Sequence, residues 1–503
     1  MPQKWLVFVC TLITTPFLVF SGNVDFIIKE RANLLQKELD LMLGSDMVLT
    51  DSEKKANEIF MDLKTRELEY GFKNPQYYNC SKHFFEYNTE IMNSELFKLI
   101  QKMPKGALLH AHDTALLKAD YVLNLTYWDN LYVCFQENNI NFLFSEDRPT
   151  TFCGTKWELV KDKRYSFSTV EEFDNELKKY FTLVIHNPKE VYTDINGVWK
   201  KFQDYFINTE GLFSYKPVWE KYFYDTLKSA RDDNIMYLEI RSVLPPLYDI
   251  KGNVFDSITT AECYKKVLDK FKTDFPDFFG AKLIYAPSRS VDAEVVKKYM
   301  EIAKEIKKKM PDFLAGFDLV GQEDLGAPIK EFMSELIEAS DETNYFFHAG
   351  ETNWYGTSSD ENLADAIVLG ARRIGHAFAI VKHPLLMEEV KKRNIALEVN
   401  VISNAVLKLV EDVRNHPLAL LLAQNMPVVI SSDDPGLWEA EMLSHDFYVT
   451  FVGVASKHAD LRLLKKLAFN SLCYSEISNK DKALHEFNIR WTKFIDSIVK
   501  DKW

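Results

Sequence analysis

The sequence predicts an α/β protein whose main body is a (β/α)8 barrel of the TIM type. Two observations favour this fold. Eight short apolar runs with strand composition are separated by amphipathic helical stretches, and eight such units close a barrel. Nearly every run also ends in a polar side chain, and barrel enzymes build their active sites from the carboxyl ends of their strands.

The strand-like runs begin after a helical N-terminal region. The first run ends at His110, and the other seven lie at residues 235–241, 282–286, 314–321, 345–348, 373–376, 395–400 and 427–432. Helical periodicity fills the gaps between them, for example at residues 292–309, 329–340 and 361–370. We therefore assign the barrel to residues 103–120 and 184–503.

Residues 1–22 have the composition of a secretory signal peptide. Lys4 precedes an apolar run, and the small residues Ser21 and Gly22 offer a cleavage site. The run is short and Pro16 interrupts it, which favours a cleaved signal over a membrane anchor. No later segment is expected to span a membrane. The mature protein is therefore expected to be secreted.

Residues 23–102 place leucine and other apolar residues at helical spacing among charges, which predicts an N-terminal helical region. Such helices either cap the barrel or form an oligomer interface. Overall, the 503 residues carry a formal net charge of −13, and we therefore expect no nucleic-acid partner.

Residues 121–183 lack the apolar periodicity of the barrel and are predicted to form an inserted surface module after the first strand. Cys134 and Cys153 flank a polar, turn-rich stretch there and are predicted to form a disulfide. No pairing is assigned to Cys80, Cys263 or Cys473. In a secreted chain, two Asn-x-Ser/Thr triplets become candidate glycosylation sites, and these begin at Asn79 and Asn124.

Candidate metal ligands follow three of the runs. Side chains alternate along a strand, so His110 and His112 share a face, and paired imidazoles commonly bind zinc. A lone histidine after an apolar run is more often structural, and an aspartate before proline is ordinarily a turn. If the strand ends converge, His348 and Asp433 complete three nitrogens and one oxygen, with an open position for water.

Proton-transfer groups lie beside these ligands. Glu351 is three residues beyond His348 and suits a general acid, because it adjoins a ligand without needing to be one. His376 ends another run and could either orient the attacking water or take its proton; a structural histidine is the alternative. The chain has no glycine-rich phosphate loop or dinucleotide fingerprint.

Four motifs together resemble the adenosine deaminase family, which uses a metal ion in a barrel. They are residues 109–113, 348–351, 374–376 and 432–435. The signal peptide, helical N-terminus, insertion and residues 199–202 resemble its secreted branch, the adenosine deaminase-related growth factors or type 2 adenosine deaminases. The Cys-x-x-Cys signature of the base-acting zinc deaminases is absent from the sequence.

This resemblance implies a role for each matching residue. His110, His112, His348 and Asp433 would bind one Zn²⁺ per subunit, Glu351 would protonate the purine, and His376 would assist the attacking oxygen. Adenosine and deoxyadenosine would be the substrates. The implied substrate contacts are Asp113, Trp199, Phe202, Gly321 and Asp434.

The resemblance also implies a homodimer assembled partly through the N-terminal helices, and a receptor or glycan partner for the insertion. One position departs from the vertebrate enzymes, which carry a histidine where this chain has Ser288, so a ribose contact is expected to change. Two alternatives stay open at this point. One is deamination of a nucleotide, and the other is a receptor-binding growth factor whose signalling does not need catalysis.

Overall fold

The computed structural model describes residues 24–500, so the predicted signal peptide lies outside the described residues. The strands are, in chain order, β1 Gly106–Leu108, β2 Leu131–Phe135, β3 Ile140–Phe144, β4 Glu158–Leu159, β5 Ile235–Ser242, β6 Leu247–Tyr248, β7 Val254–Phe255, β8 Gly280–Tyr285, β9 Leu314–Phe317, β10 His348–Ala349, β11 Arg373–His376, β12 Ala396–Val399 and β13 Val428–Ile430.

Helices surround the strands and fill both termini. They are α1 Val24–Leu41, α2 Asp51–Lys73, α3 Asn88–Ile91, α4 Glu95–Lys102, α5 Ala119–Leu125, α6 Val160–Tyr165, α7 Val170–Lys178, α8 Pro188–Val191, α9 Ile195–Phe213, α10 Lys216–Asp232, α11 Ser257–Asp274, α12 Ala293–Lys309, α13 Met333–Ala339, α14 Ser358–Val368, α15 Pro384–Arg393, α16 Val401–Val406, α17 Leu418–Ala423, α18 Ser444–Tyr448, α19 Leu461–Cys473 and α20 Lys480–Val499. Between residues 24 and 500, no helix is long and apolar enough to cross a membrane.

The main body is α/β with parallel strands in two sheets. One sheet has the order β1-β5-β8-β9 and the other β10-β11-β12-β13, and each neighbouring pair is parallel. Single parallel bridges link the sheets, from Phe317 to Tyr345 on one side and from Ala111 to Asp433 on the other. The eight strands are the eight predicted runs.

Several strands are shorter than the sequence predicts. The run at 314–321 is a regular strand only over Leu314–Phe317, although the Asp318 and Val320 N–H groups still donate to the Tyr285 and Pro287 carbonyls at 2.9 and 3.0 Å. The run at 345–348 is regular strand only at its last residue, because β10 covers His348–Ala349. Phe346 and Phe347 are fully buried, as predicted, and belong to different apolar clusters because they face opposite ways along the chain.

The N-terminal region is helical, as predicted, but its two long helices differ in burial. Helix α2 begins with a capping box at Thr50 and Glu53 and buries Phe60 and Leu63. Its Glu53 carboxylate also accepts a hydrogen bond from Trp491 Nε1 at 2.8 Å, which ties α2 to α20. Helix α1 buries none of its residues. Helix α1 therefore presents an open apolar surface.

The insertion after β1 forms a three-stranded antiparallel sheet in the order β3-β2-β4. The predicted disulfide is present, with Cys134 and Cys153 bonded at 2.07 Å. The sheet is not an isolated module, because β3 packs closely on α9: a Cβ at Gly211 would lie 1.9 Å from the Phe142 carbonyl oxygen, so only glycine fits there.

The two candidate glycosylation asparagines differ in their surroundings. Asn124 is exposed at the end of α5. Asn79 is half-buried, and its Nδ2 donates to Glu90 Oε2 at 3.0 Å. Asn124 is therefore the more accessible acceptor in the folded chain.

Candidate active site and metal centre

The backbone brings the first two histidines beside Asp433. Beyond the end of β1, the His112 N–H donates to the Asp433 carbonyl and the Asp433 N–H donates to the His110 carbonyl, both at 3.1 Å. On the other side, the Arg241 N–H donates to the Ala111 carbonyl at 2.8 Å. This short ladder fixes His110 and His112 on one face, as the alternation predicts.

Four side chains converge at this point. His110, His112, His348 and Asp433 each offer one ligand atom, and these atoms lie within 4.8 Å of one another. Asp433 Oδ1 is 3.2 Å from His110 Nε2 and 3.0 Å from His112 Nε2. His110 Nε2 and Asp433 Oδ1 are buried without a hydrogen-bond partner. Three nitrogens and one oxygen with unused lone pairs fit a metal ion.

The pKa values of two of these four residues, His348 and Asp433, also suit metal binding. Burial lowers the pKa of His348 to about 3, so its imidazole is neutral and has a free lone pair. Burial would raise the pKa of Asp433, but the neighbouring imidazoles of His376, His110 and His112 outweigh it and hold that pKa well below its usual range. Asp433 therefore remains an anionic ligand.

Buried carboxylates orient two of the imidazoles from behind. His110 Nδ1 lies 2.8 Å from Glu398 Oε2, and His348 Nδ1 lies 2.6 Å from Asp318 Oδ2. Arg241 joins the two carboxylates, with Nε 2.7 Å from Asp318 and Nη2 2.8 Å from Glu398. Arg373 extends the network to Glu398 at 2.6 Å. Such partners fix the ring tautomer and raise the basicity of a ligating imidazole.

Asp318→Asn is expected to weaken metal binding by about 10–100-fold, because a neutral amide no longer polarises His348. Competition against a chromophoric chelator would measure the change. The matched control is Asp312→Asn, at an exposed position six residues away on the same segment. An Asp318→Asn protein with unchanged metal affinity would remove Asp318 from this role.

Glu351 lies two residues beyond the end of β10, in surroundings that favour the protonated form of its carboxyl group. The Gly350 and Glu351 N–H groups donate to the Glu323 carboxylate, which also accepts from Asn362 Nδ2 at 2.7 Å. Burial and the nearby carboxylates of Asp433 and Glu323 raise the pKa of Glu351 well above its usual range. A carboxyl group that stays protonated at neutral pH can act as a general acid.

His376 and Asp433 both have left-handed backbones, with φ of 58° and 62°. This conformation is uncommon for residues other than glycine and concentrates at functional sites. It turns the His376 ring into the site, where Nδ1 lies 3.4 Å from Glu351 Oε1 and Nε2 lies 3.6 Å from Asp433 Oδ2.

A cavity of about 210 Å³ opens onto the four converging side chains. Helix α9 supplies an aromatic wall of Trp199, Phe202 and Phe206. The ring centroids are 5.2 Å apart between Trp199 and Phe202 and 5.1 Å apart between Phe202 and Phe206. The predicted contact residues all line this cavity: Asp113, Trp199, Phe202, Gly321 and Asp434. An apolar wall opposite a few convergent polar groups is typical of a small-molecule site.

Two carboxyl groups of the cavity can recognise a ligand. Burial and the Asp433 carboxylate raise the pKa of Asp434 well above its usual range, so its carboxyl group is available as a hydrogen-bond donor. Neither of its oxygens has a hydrogen-bond partner among the described residues. Asp113 is held by the Tyr264 hydroxyl, which donates to its Oδ2 at 2.6 Å.

Ser288 is exposed, and its Oγ accepts from the Ser290 N–H at 3.1 Å. Ser288 lies outside the lining of the cavity.

Sequence reasoning missed the carboxylates behind the site, Asp318, Glu323 and Glu398. A signal existed for two of them: Asp318 and Glu398 each interrupt an otherwise apolar strand run, and a buried charge requires a partner. Arg241, the last residue of the run at 235–241, is that partner.

Comparison with known sequences agrees with this geometry. A sequence model of the family described as "Adenosine deaminase" matches residues 179–486, and one described as "Adenosine/AMP deaminase N-terminal" matches residues 25–100. An adenosine deaminase of Phlebotomus duboscqi is 45% identical over 482 residues, covering 93% of each chain. Adenosine deaminase 2 of Homo sapiens is 40% identical over 499 residues, covering 97% of each chain.

Solved structures are similar at the level of the fold. An N6-mAMP deaminase from Arabidopsis superposes with a TM-score of 0.56 at 18% identity, covering 78% of this chain and 99% of that one. An adenine deaminase from Arthrobacter aurescens superposes with a TM-score of 0.55 at 19% identity, with the same coverage.

Proposed function

Because the chain belongs to the adenosine deaminase family, we propose that it hydrolyses adenosine and 2′-deoxyadenosine to inosine and deoxyinosine, releasing ammonia. The observation that carries this proposal is one cavity that brings together four ligand atoms, the Glu351 carboxyl group with its raised pKa and His376. The similarity to adenosine deaminases over nearly the whole chain supports it.

We propose zinc as the metal, with one ion per subunit held by His110, His112, His348 and Asp433. Three imidazoles and one carboxylate are ligands that zinc accepts in catalytic sites. A bound zinc ion would supply Lewis acidity and lower the pKa of a water molecule toward neutrality.

The side chains divide the remaining chemistry. Glu351 delivers its proton to the purine ring nitrogen beside the attacked carbon, which makes that carbon more electrophilic. The Asp434 carboxyl group donates to the five-membered ring, and the Gly321 backbone meets another ring nitrogen. Trp199 and Phe202 cover the base and exclude water, while Asp113 contacts the ribose. Ammonia leaves when the tetrahedral intermediate collapses.

The charge of the cavity favours a nucleoside over a nucleotide. Arg241 is the cation among the described residues that line it, and its guanidinium is already bound to Asp318 and Glu398. A 5′-phosphate would instead meet the Asp113 carboxyl group. The test is inosine formation from adenosine, run beside deoxyadenosine and AMP. Turnover of AMP at the adenosine rate would favour the nucleotide alternative.

We also propose that the two parallel sheets form one closed (β/α)8 barrel. The bridges from Phe317 to Tyr345 and from Ala111 to Asp433 support closure, because each joins the outer strands of the two sheets. The polar groups after each strand then meet at one end.

Secretion remains a proposal based on residues 1–22 and on the disulfide, since disulfides persist in oxidising compartments. We propose that adenosine depletion produces growth-factor-like signalling, with a receptor or glycan bound by residues 121–183. A receptor-binding growth factor independent of catalysis is the alternative.

The homodimer is proposed to form through α1, whose apolar side chains Ile27 and Leu34 are 51% and 62% exposed and lie on one face. Ile27→Glu/Leu34→Glu is expected to convert a dimer to an active monomer in sedimentation experiments, while Lys29→Glu, on the opposite face of α1, leaves the dimer intact. Deleting residues 23–100 would be a poor test, because Phe60 and Phe97 are core residues. A double variant that still sediments as a dimer would exclude α1.

A further inference from the structure

A chain of hydrogen bonds runs from a backbone amide to His376. The Leu418 N–H donates to His416 Nδ1 at 2.9 Å, and His416 Nε2 lies 3.0 Å from Asn404 Oδ1. Asn404 Nδ2 in turn lies 3.1 Å from His376 Nδ1. His376, Asn404 and His416 are all buried, at most 3% exposed.

The direction of this chain follows from its first member. A backbone N–H can only donate, so His416 Nδ1 must carry a lone pair rather than a proton. Burial lowers the pKa of His416 to about 3, so its ring is neutral and its one proton is on Nε2. His416 therefore donates to Asn404 Oδ1, which fixes the orientation of an amide that is otherwise free to flip.

Once the Asn404 oxygen faces His416, its amino group faces His376 and needs an acceptor there. Only a His376 Nδ1 without a proton can accept that bond. The other nitrogen, Nε2, then carries the ring proton and faces Asp433 Oδ2 at 3.6 Å. Asn400 does not compete for this choice, because its Nδ2 is 3.5 Å from both ring nitrogens.

We propose that Asn404 and His416 are positioning residues that hold His376 in the tautomer with its proton on Nε2, so that His376 donates to the attacking oxygen. The inference rests on the proposed function for its consequence, but the tautomer itself does not. This tautomer distinguishes the two roles that the sequence leaves open for His376. With the proton on Nε2, His376 orients the attacking oxygen through a donated hydrogen bond and does not take the proton of the water.

Two packing features keep the chain of hydrogen bonds in place. Phe378 stands edge-on to the His416 ring, with centroids 5.3 Å apart. The Asn404 carbonyl accepts from the Leu409 and Val410 N–H groups at 2.8 and 3.2 Å, which holds the residue at the end of α16. Asn404 and His416 therefore belong to the segment that follows β12, from α16 to α17, and are not among the four metal-ligand candidates.

The test is ¹⁵N NMR of the full-length protein labelled at histidine, with His376→Gln identifying the His376 signals. Protonated and unprotonated ring nitrogens resonate far apart, so the tautomer is read directly. The expected result in the unaltered protein is a protonated Nε2 and an unprotonated Nδ1. A proton on Nδ1 would overturn the proposal without any variant being needed.

Asn404→Asp gives a second readout, because it keeps the shape but replaces the donor with an acceptor. We expect the His376 proton to move to Nδ1 and kcat for adenosine to fall by about 10–100-fold, with KM changed less than twofold. Asn425→Asp, at an exposed site, is the matched control and should change neither quantity. A kcat loss with the tautomer unchanged would indicate a merely structural role for Asn404 and overturn the proposal.

The two proposals can fail separately. A protein that carries the Nε2 proton but forms no inosine would contradict the proposed function alone. A protein that deaminates adenosine with the His376 proton on Nδ1 would contradict the proposed tautomer alone.

Discussion

Glu351→Gln is expected to lower kcat for adenosine by roughly 10³-fold with little change in KM. Glutamine keeps the size of the side chain and can still hydrogen-bond to the purine, but it has no acidic proton to deliver. The raised pKa of Glu351, caused by burial and by Asp433 and Glu323, is what makes that proton available at neutral pH. Steady-state kinetics with adenosine would measure the loss.

The control for this variant is Glu361→Gln, on the exposed face of α14. It should keep full activity. The Glu351→Gln protein also separates the two explanations of signalling. If it loses deamination but keeps its effect on cells, adenosine depletion does not cause that effect. Deamination at the unaltered rate would exclude Glu351 as the acid.

Asp433→Asn is expected to reduce kcat/KM by roughly 10³-fold or more and to lower the bound metal, because a charged ligand becomes a neutral amide. Asparagine is the appropriate replacement, since it tolerates the left-handed backbone at φ 62° better than alanine does. The fold should therefore survive the change. Kinetics and elemental analysis on the same preparation would measure both effects.

The neighbouring Asp434→Asn is the informative comparison for this variant. Asp434 lines the cavity but is not one of the four converging ligands. It should keep its metal, and because its amide can still donate to the purine, KM should change little. Full metal and full activity in Asp433→Asn would contradict the assigned ligand set.

The strands and the converging histidines could be predicted from the sequence because both depend on local pattern. Apolar runs at regular spacing predict parallel strands, and the polar residue after each run predicts what meets at their ends. The prediction for His110, His112, His348 and Asp433 needed only this rule and the chemistry of metal ligands. The structure brings all four together.

The ion network behind the site could not be predicted in this way. Arg241 is 77 residues from Asp318 and 157 residues from Glu398 along the chain, so no local pattern pairs them. The tautomer of His376 depends likewise on Asn404 and on a backbone amide of the following helix. These contacts are determined by tertiary packing. The spacing of apolar residues along a strand or helix does not specify them.

The close packing of the insertion was also not predictable. Its lack of barrel periodicity predicted an inserted surface module, yet Phe142 and Phe144 belong to the same apolar core as the main strands. The contact at Gly211 shows how tightly β3 approaches α9. A glycine within a helix is a weak signal until its neighbour is known.

The most direct test of the central claim is a zinc titration of the chelator-stripped protein, with inosine formation from adenosine measured at each step. Activity should be absent from the stripped protein, rise in proportion to bound zinc and level off at one ion per subunit. Full activity in the stripped protein, or no inosine from the protein with one zinc ion bound, would contradict the account.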